Sequence, residues 1–225
     1  MLLGSQMRSR WLGLFLVLGV HGFVDADASL CPGTRVSVLA DVGDEVDEVC
    51  KTIDTTFLFL TSQGLDTRAP LEIRMVDTLP PQCDRRSFAC YDCRTRCIHM
   101  LKALQCLKLD FTAEVPMTTA LCRSVLSHEI AHAVADANFL VDKPSRLAHE
   151  YIAYITQLST MPAGMRQQVL ERFPGNGFSN ADEMSVDYYL LDPTRFGVQA
   201  YRHFMKPGNG KAFVGKLLAG KVLRR

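Results

Sequence analysis

The stretch TTALCRSVLSHEIAHAVADANF, residues 118–139, decides how the second half of the chain is organised. Thr118 and Thr119 are residue types that cap helix N-termini, and apolar residues recur after them at helical spacing. The pattern predicts a mostly buried helix over 120–139, with the apolar positions Leu121, Val125, Ile130 and Val134 in its core-facing surface.

Two histidines lie one turn apart in this helix, in the segment HEIAH at 128–132. Residues four apart share a helix face, so the rings of His128 and His132 converge, and Glu129 flanks the same face. This HExxH arrangement is typical of a zinc site. Zinc lowers the pKa of a bound water to about 7, and a neighbouring carboxylate accepts its proton as the water attacks a carbonyl. The motif therefore predicts Zn²⁺ as cofactor, with Glu129 as the catalytic general base.

A simpler interpretation is that the histidines are only packed or solvated, since five residues recur by chance. However, paired imidazoles on a buried helix leave costly unsatisfied polar groups unless something binds them. A catalytic zinc site also needs a third protein ligand. Glu150 on the next predicted helix is preferred, because a short helix hairpin folds it back onto the first helix. Glu183, with Asp187 one turn later, and His149 remain alternatives.

The rest of the second half of the chain is also predicted to be helical. A helix is predicted over 145–159 with Pro144 near its first turn, and another over 162–173. Two or three more are predicted within 181–204 and 211–222.

The first third of the mature chain alternates strand and helix patterns. Residues 35–40 and 71–76 are typical of strands, and the helical spacing within 44–63 predicts a helix between them. The segment 83–117 is rich in cysteine, with short strands expected at 88–92 and 96–101. The chain is therefore predicted to be α+β, with a small N-terminal sheet region carrying one helix, a disulfide-rich hairpin and a helical C-terminal half.

The N-terminus indicates export. Arg8 and Arg10 precede an apolar run that is too short to span a bilayer, and small residues follow at Ala26 and Ala28. We predict a signal peptide over 1–28, a single domain over 29–225, and a secreted or periplasmic protein without a stable membrane anchor. The 25 Lys and Arg residues nearly balance the 24 Asp and Glu residues, which disfavours a nucleic-acid partner.

All eight cysteines follow the predicted signal peptide, and an even number in an exported chain predicts disulfide bonds. Their pairing stays open, with Cys106 and Cys122 as one candidate pair. The cysteines at 83, 90, 93 and 97 could instead hold a structural zinc. Their single CxxC lacks a matching second pair, so disulfides are favoured.

The stretch HEIAHAVAD resembles the active helix of the gluzincins, the thermolysin-like and aminopeptidase-like zinc metallopeptidases. In that family a glutamate on a following helix supplies the third ligand. In many members it comes just under twenty residues after the second histidine and precedes a small residue and a tyrosine, as Glu150 precedes Ala153 and Tyr154 here. The resemblance covers 121–158. It implies a zincin-like fold and these roles: His128, His132 and Glu150 as ligands, and Glu129 as base.

The chain differs from the thermolysin-like pattern at one position and does not fit the metzincin pattern. Thermolysin-like enzymes carry an aspartate one turn after the ligand glutamate, where Tyr154 stands after Glu150 but Asp187 stands after Glu183. The longer metzincin pattern fails at Ala135 and Asn138. Candidate oxyanion donors are not distinguished by the sequence: Tyr151, Tyr154, Tyr188, Tyr189 and His203.

The predicted function is hydrolysis of a peptide or protein substrate. The alternative is a disulfide-stapled binding or structural protein on a zincin-like scaffold, without peptidase activity.

Overall fold

A computed structural model describes residues 28–41, 43–84, 87–108 and 115–224. The predicted signal peptide lies outside these residues apart from Ala28. The strands are β1 (Ala28–Leu30), β2 (Val36–Leu39), β3 (Leu71–Val76), β4 (Ala89–Asp92) and β5 (Cys97–Leu101). The helices are α1 (Gly43–Ser62), α2 (Ala103–Cys106), α3 (Thr119–Asp136), α4 (Arg146–Thr160), α5 (Ala163–Arg172), α6 (Val186–Leu191), α7 (Pro193–Phe204) and α8 (Gly210–Leu218). The predicted α+β class is confirmed.

The five strands form one mixed sheet in the order β1-β2-β3-β5-β4. The three central strands are parallel, with Val36 opposite Leu71 and Ile73 opposite Ile98. Parallel neighbours need a crossover connection, which α1 provides between β2 and β3. The outer strands β1 and β4 are antiparallel to their neighbours. Because β4 is last in the strand order of the described sheet, it is an edge strand.

One face of the sheet packs against the helices. Val38, Ile73 and Ile98 point to this face and are fully buried. The central helix is α3, which packs against α1, α4 and β4. Ten of its eighteen residues are buried, on all sides of the helix, because helices or strands cover it from several directions. The HExxH segment therefore lies at the centre of the fold.

The predicted helix ends are close to the observed ones. The Thr118 side chain accepts a hydrogen bond from the Leu121 N–H and caps α3, as predicted. The helix ends at Asp136 rather than continuing to 139, because the Asn138 side chain bonds to the Val134 carbonyl and to the backbone of Asp66.

Pro144 lies next to the start of the next helix, near its first turn as predicted. Ser145 is the N-cap of α4, and its hydroxyl accepts a hydrogen bond from the Ala148 N–H. Pro144 therefore precedes the cap. The helix itself, and its order in the chain, are as predicted.

Three disulfides are present: Cys31–Cys50, Cys83–Cys90 and Cys106–Cys122. The candidate pair Cys106–Cys122 is confirmed. Three disulfide bonds are typical of a protein in an oxidising compartment. The Cys83–Cys90 bond removes two of the four thiols that a structural zinc in the hairpin would need. Cys93 and Cys97 are free. No helix within the described ranges has the length and apolar character needed to cross a bilayer.

The two free thiols differ in exposure. Cys93 is exposed, whereas Cys97 is 4% exposed and lies beside Glu72. Burial, with the Glu72 charge, raises the pKa of Cys97 to about 11. At pH near 8 we expect one thiol per folded chain to react quickly with a maleimide and the second to react only after denaturation. Quick labelling of both, or of Cys97 before Cys93, in a mass-spectrometric time course contradicts this prediction.

Candidate metal centre

Helices α3 and α4 form an antiparallel hairpin that brings three ligand-type side chains together. A Glu150 carboxylate oxygen lies 3.5 Å from His128 Nε2 and 3.9 Å from His132 Nε2. One ligand atom from each residue lies within 4.8 Å of the other two. The hairpin therefore places Glu150 next to both imidazoles, although it follows His132 by 18 positions in the chain.

The donor set fits a metal ion. Bond lengths near 2.0–2.2 Å and a tetrahedral angle place zinc ligand atoms about 3.3 Å apart. The two distances from Glu150 to the histidine nitrogens, 3.5 and 3.9 Å, exceed this value by about 0.2 and 0.6 Å. Within the described part of the chain this is the one cluster of three such residues with converging ligand atoms. The group could hold a metal ion.

The three side chains are electrostatically coupled. Burial opposes ionisation of Glu150, which is 8% exposed, but the hydrogen bond from His128 and the charges of both histidines lower its pKa to about 2. Burial also opposes the charge on His128, yet Glu150 outweighs it and raises the pKa of His128. Burial and the nearby His128 lower the pKa of His132 to about 3. The carboxylate is thus anionic and the His132 ring neutral, as metal ligands must be.

Other side chains contact His128 and Glu150 from outside the cluster. His128 Nδ1 lies 3.1 Å from Gln157 Oε1, on the side of the ring away from Glu150. The Tyr189 hydroxyl lies close enough to Glu150 to help lower the pKa of that carboxyl. Such outer partners fix the orientation of a ligand.

Glu129 points to the edge of the sheet. Its Oε2 accepts a hydrogen bond from the Tyr91 N–H at 2.9 Å. Burial raises its pKa. The Phe88 carbonyl, just before β4, accepts a hydrogen bond from the Leu101 N–H of β5. In an antiparallel pair the backbone groups of successive residues point alternately toward and away from the neighbouring strand. The backbone groups of Ala89 and Tyr91 therefore point away from β5. The edge strand therefore orients the Glu129 carboxylate.

A cavity of about 320 Å³ opens beside His128 and Glu129. Its wall comes from α3, α4, α5 and α7 and from the segment leading into β4. Most of the lining is apolar, including Leu121, Val125, Leu158, Val169 and Val198. Its volume is at the small end of the range of about 300–1,000 Å³ that is usual for ligand pockets.

The Tyr154 ring also lines the cavity and contacts His128, with 4.6 Å between ring centroids. Gly197 on α7 makes room for this ring, because a Cβ there would overlap Tyr154. We expect Gly197→Ala to lower the free energy of unfolding by about 1–3 kcal/mol, through overpacking. Chemical denaturation measures the effect.

Gly215 provides the matched control. It also lies within a helix, α8, but a Cβ there would meet nothing within 4 Å. Gly215→Ala is therefore expected to be neutral, or to stabilise by about 0.5–1 kcal/mol through helix propensity. Equal stability changes in the two variants would contradict the packing role of Gly197.

The structure does not bring the rival ligands to the cluster. The His149 ring centroid is 5.9 Å from that of His132 and 4.6 Å from that of Phe139, against which it packs. Glu183 is exposed in a short 3₁₀ turn and accepts a hydrogen bond from the Ser179 N–H. Neither belongs to the converging group.

The structure also distinguishes among the candidate oxyanion donors. Tyr151 is buried and its hydroxyl bonds to His203 Nδ1 at 2.8 Å. Tyr188 packs on Phe178. Tyr154 and Tyr189 are the two tyrosines next to the cluster.

The sequence did not identify Tyr91 or Gln157 as parts of the site. Tyr91 acts through its backbone, which leaves no signature in the residue type. Gln157 follows Glu150 by seven positions, two helical turns, and so lies on the same face of α4. This seven-residue spacing is the sequence signal that could have identified Gln157.

Fold and site together define a class: a disulfide-bonded α+β protein with a His-His-Glu group able to hold a metal ion at the junction of two packed helices. The chain belongs to a family of unknown function, DUF6639, whose model matches residues 36–225. No curated protein and no solved structure matches the chain.

Proposed function

We propose that the protein is an exported zinc-dependent peptide bond hydrolase with a zincin-like fold. In this proposal His128, His132 and Glu150 hold Zn²⁺, and Glu129 is the general base. The observation that carries it is the convergence of the three ligand atoms, within 4.8 Å, beside the half-buried Glu129 carboxylate at a cavity wall. Zinc in such a site supplies Lewis acidity that activates water and polarises a carbonyl.

Glu129 has the position that a base requires. It follows the first ligand directly and is not part of the converging group, so it is free to take a proton from the attacking water. The Tyr91 N–H holds its Oε2 in one orientation. The same carboxyl then returns the proton to the leaving amine, which restores the resting state.

A peptide substrate fits the edge strand. The backbone groups of Ala89 face outward from the sheet, and Ala89 lines the cavity together with Glu129. An extended peptide can add to such an edge through main-chain hydrogen bonds. This pairing would place a backbone carbonyl of the substrate near the cluster.

Tyr154 is the proposed oxyanion donor. It lines the same cavity as Glu129 and contacts the His128 ring, whereas the Tyr189 hydroxyl is engaged by Glu150. Donors aimed at developing negative charge are among the strongest contributions to catalysis. Tyr154→Phe should therefore reduce turnover more than substrate binding.

Export to the periplasm or the cell exterior is part of the proposal. It is supported by the three disulfides and by the signal-peptide pattern of the N-terminal sequence. Substrates would then be peptides or proteins outside the cytoplasm.

Metal analysis and a peptide-library digestion test the proposal. Purified protein should carry one zinc ion per chain, lose it to a chelator, and cleave library peptides only when zinc is restored. A zinc-loaded protein that cleaves no member of the library would refute the peptidase function and favour a binding or structural role. A protein without zinc would refute the metal centre as well.

A further inference from the structure

Tyr91 connects the edge strand β4 to the central helix α3 at two points. Its N–H donates to Glu129 Oε2 at 2.9 Å, and its hydroxyl donates to Asp136 Oδ2 at 3.1 Å. Glu129 and Asp136 are seven positions apart, so they lie two turns apart on one face of α3. A single residue of the strand is therefore bonded to both ends of this part of the helix.

Arg96, in the turn between β4 and β5, makes a further connection to α3. Its guanidinium lies 3.8 Å from Asp136 Oδ2 and donates to the Ala133 carbonyl at 3.3 Å. Its Nε donates to the Pro70 carbonyl, just before β3, at 3.0 Å. The Arg96 side chain therefore joins the last turn of α3 to the sheet.

Two of these residues are locally unfavourable where they stand. Arg96 has a φ of 55°, in the left-handed region that favours glycine. Asp136 places a negative charge in the last turn of α3, where the helix dipole favours cations. A turn and a helix end without other roles would favour glycine at position 96 and a basic residue at position 136. The contacts between the hairpin and α3 account for both exceptions.

We name Tyr91, Asp136 and Arg96 the edge clamp. We infer that the edge clamp holds β4 in position along α3 and so places a peptide bound to β4 at the right distance from Glu129. The three side chains are thus positioning residues. The inference rests on the proposed function, in which an extended peptide adds to β4 beside Ala89 and Glu129 accepts a proton. A misplacement of about 1 Å can cost about 10²-fold in rate.

Amide hydrogen exchange, followed by NMR, tests the edge clamp without a substrate. The Tyr91 N–H points away from β5, so without the clamp it would exchange rapidly with solvent. Tyr91→Phe keeps this N–H and removes only the hydroxyl. We expect exchange at position 91 to become about 2–10-fold faster, the effect of losing one hydrogen bond. The amide of Ile73 in the central strand is the internal reference, and the ratio of the two rates removes any change in global stability.

Arg96→Ala and Arg94→Ala form a matched pair for the same measurement. Arg94 lies in the same turn, but its guanidinium bonds to Asp92 within the hairpin. Arg96→Ala should raise the exchange ratio, whereas Arg94→Ala should leave it unchanged. Arg96→Gly should also raise the ratio, although glycine suits the left-handed backbone better. If residue 96 mattered only for the turn, this glycine variant would not exchange faster at position 91.

Peptide length provides the functional readout. A hexapeptide has enough main-chain groups to pair along β4, whereas a blocked dipeptide does not. In Tyr91→Phe and Arg96→Ala we expect the kcat/KM of the hexapeptide, relative to that of the dipeptide, to fall about 10-fold. Partial unfolding lowers both rates by the same factor and leaves this ratio unchanged. Arg94→Ala should keep the wild-type ratio.

The outcomes separate this inference from the proposed function. An unchanged exchange ratio in Tyr91→Phe and Arg96→Ala overturns the inference, whatever the activity. If Tyr91→Phe does not fold, Arg96→Ala decides alone. A changed exchange ratio with an unchanged preference for the hexapeptide also overturns it, because the clamp would then not position the peptide. If the wild type cleaves no peptide but exchange at position 91 depends on the clamp, the peptidase function is refuted and the attachment of β4 to α3 is supported.

Discussion

Glu129→Gln is expected to lower the rate of peptide hydrolysis by about 10²–10⁴-fold, the usual contribution of a general base, while the zinc content stays at one ion per chain. Glutamine has the same shape and can still accept the hydrogen bond from the Tyr91 N–H. It cannot accept a proton from water. The fold and the metal ligands should therefore be preserved while the proton transfer is lost. Parallel measurement of turnover and of zinc by mass spectrometry checks both parts.

Glu171→Gln is the control for this variant, since Glu171 is exposed on α5 and lies away from the cluster. It should retain full activity. If Glu129→Gln cleaved peptides as well as the parent, the assignment of the base would be wrong. If it lost zinc, Glu129 would have to be regarded as a ligand or as essential to the fold.

Replacing a ligand should have a different signature. His132→Ala and Glu150→Ala are each expected to weaken zinc binding by more than about 100-fold, beyond the effect of an outer partner, because one of only three protein ligands is removed. Activity should disappear together with the metal. A zinc-chelator competition assay gives the dissociation constants, and circular dichroism checks that the variants are folded.

The two rival ligands are the controls for these variants. His149→Ala and Glu183→Ala should both retain zinc, because neither side chain belongs to the converging group. Loss of zinc from Glu183→Ala, with retention in Glu150→Ala, would reverse the ligand assignment and require a different packing of the C-terminal helices.

The secondary structure could be predicted because it depends on local patterns. Strand alternation in 35–40 and 71–76, the helical spacing of 44–63, and the threonine cap at Thr118 are properties of neighbouring residues. The pattern places the end of α3 at 139 rather than at Asp136, because the Asn138 side chain makes a bond that periodicity does not reveal.

The site could be predicted only in part. One helix carries His128 and His132, so their spacing alone implies that the rings converge. The choice between Glu150 and Glu183 depends on how a second helix packs, and helical spacing does not encode that. Tyr91 approaches Glu129 only because β4 is the edge of the sheet beside α3, a consequence of the strand order. Which cysteines pair is likewise decided by the folded chain.

The central claim is that His128, His132 and Glu150 bind one zinc ion. Anomalous X-ray diffraction at the zinc edge, from crystals of the zinc-loaded protein, tests it most directly. We predict one strong peak about 2.0–2.2 Å from Nε2 of each histidine and from a carboxylate oxygen of Glu150. A map with no peak between these atoms, or with its zinc peak at another group, would contradict the claim.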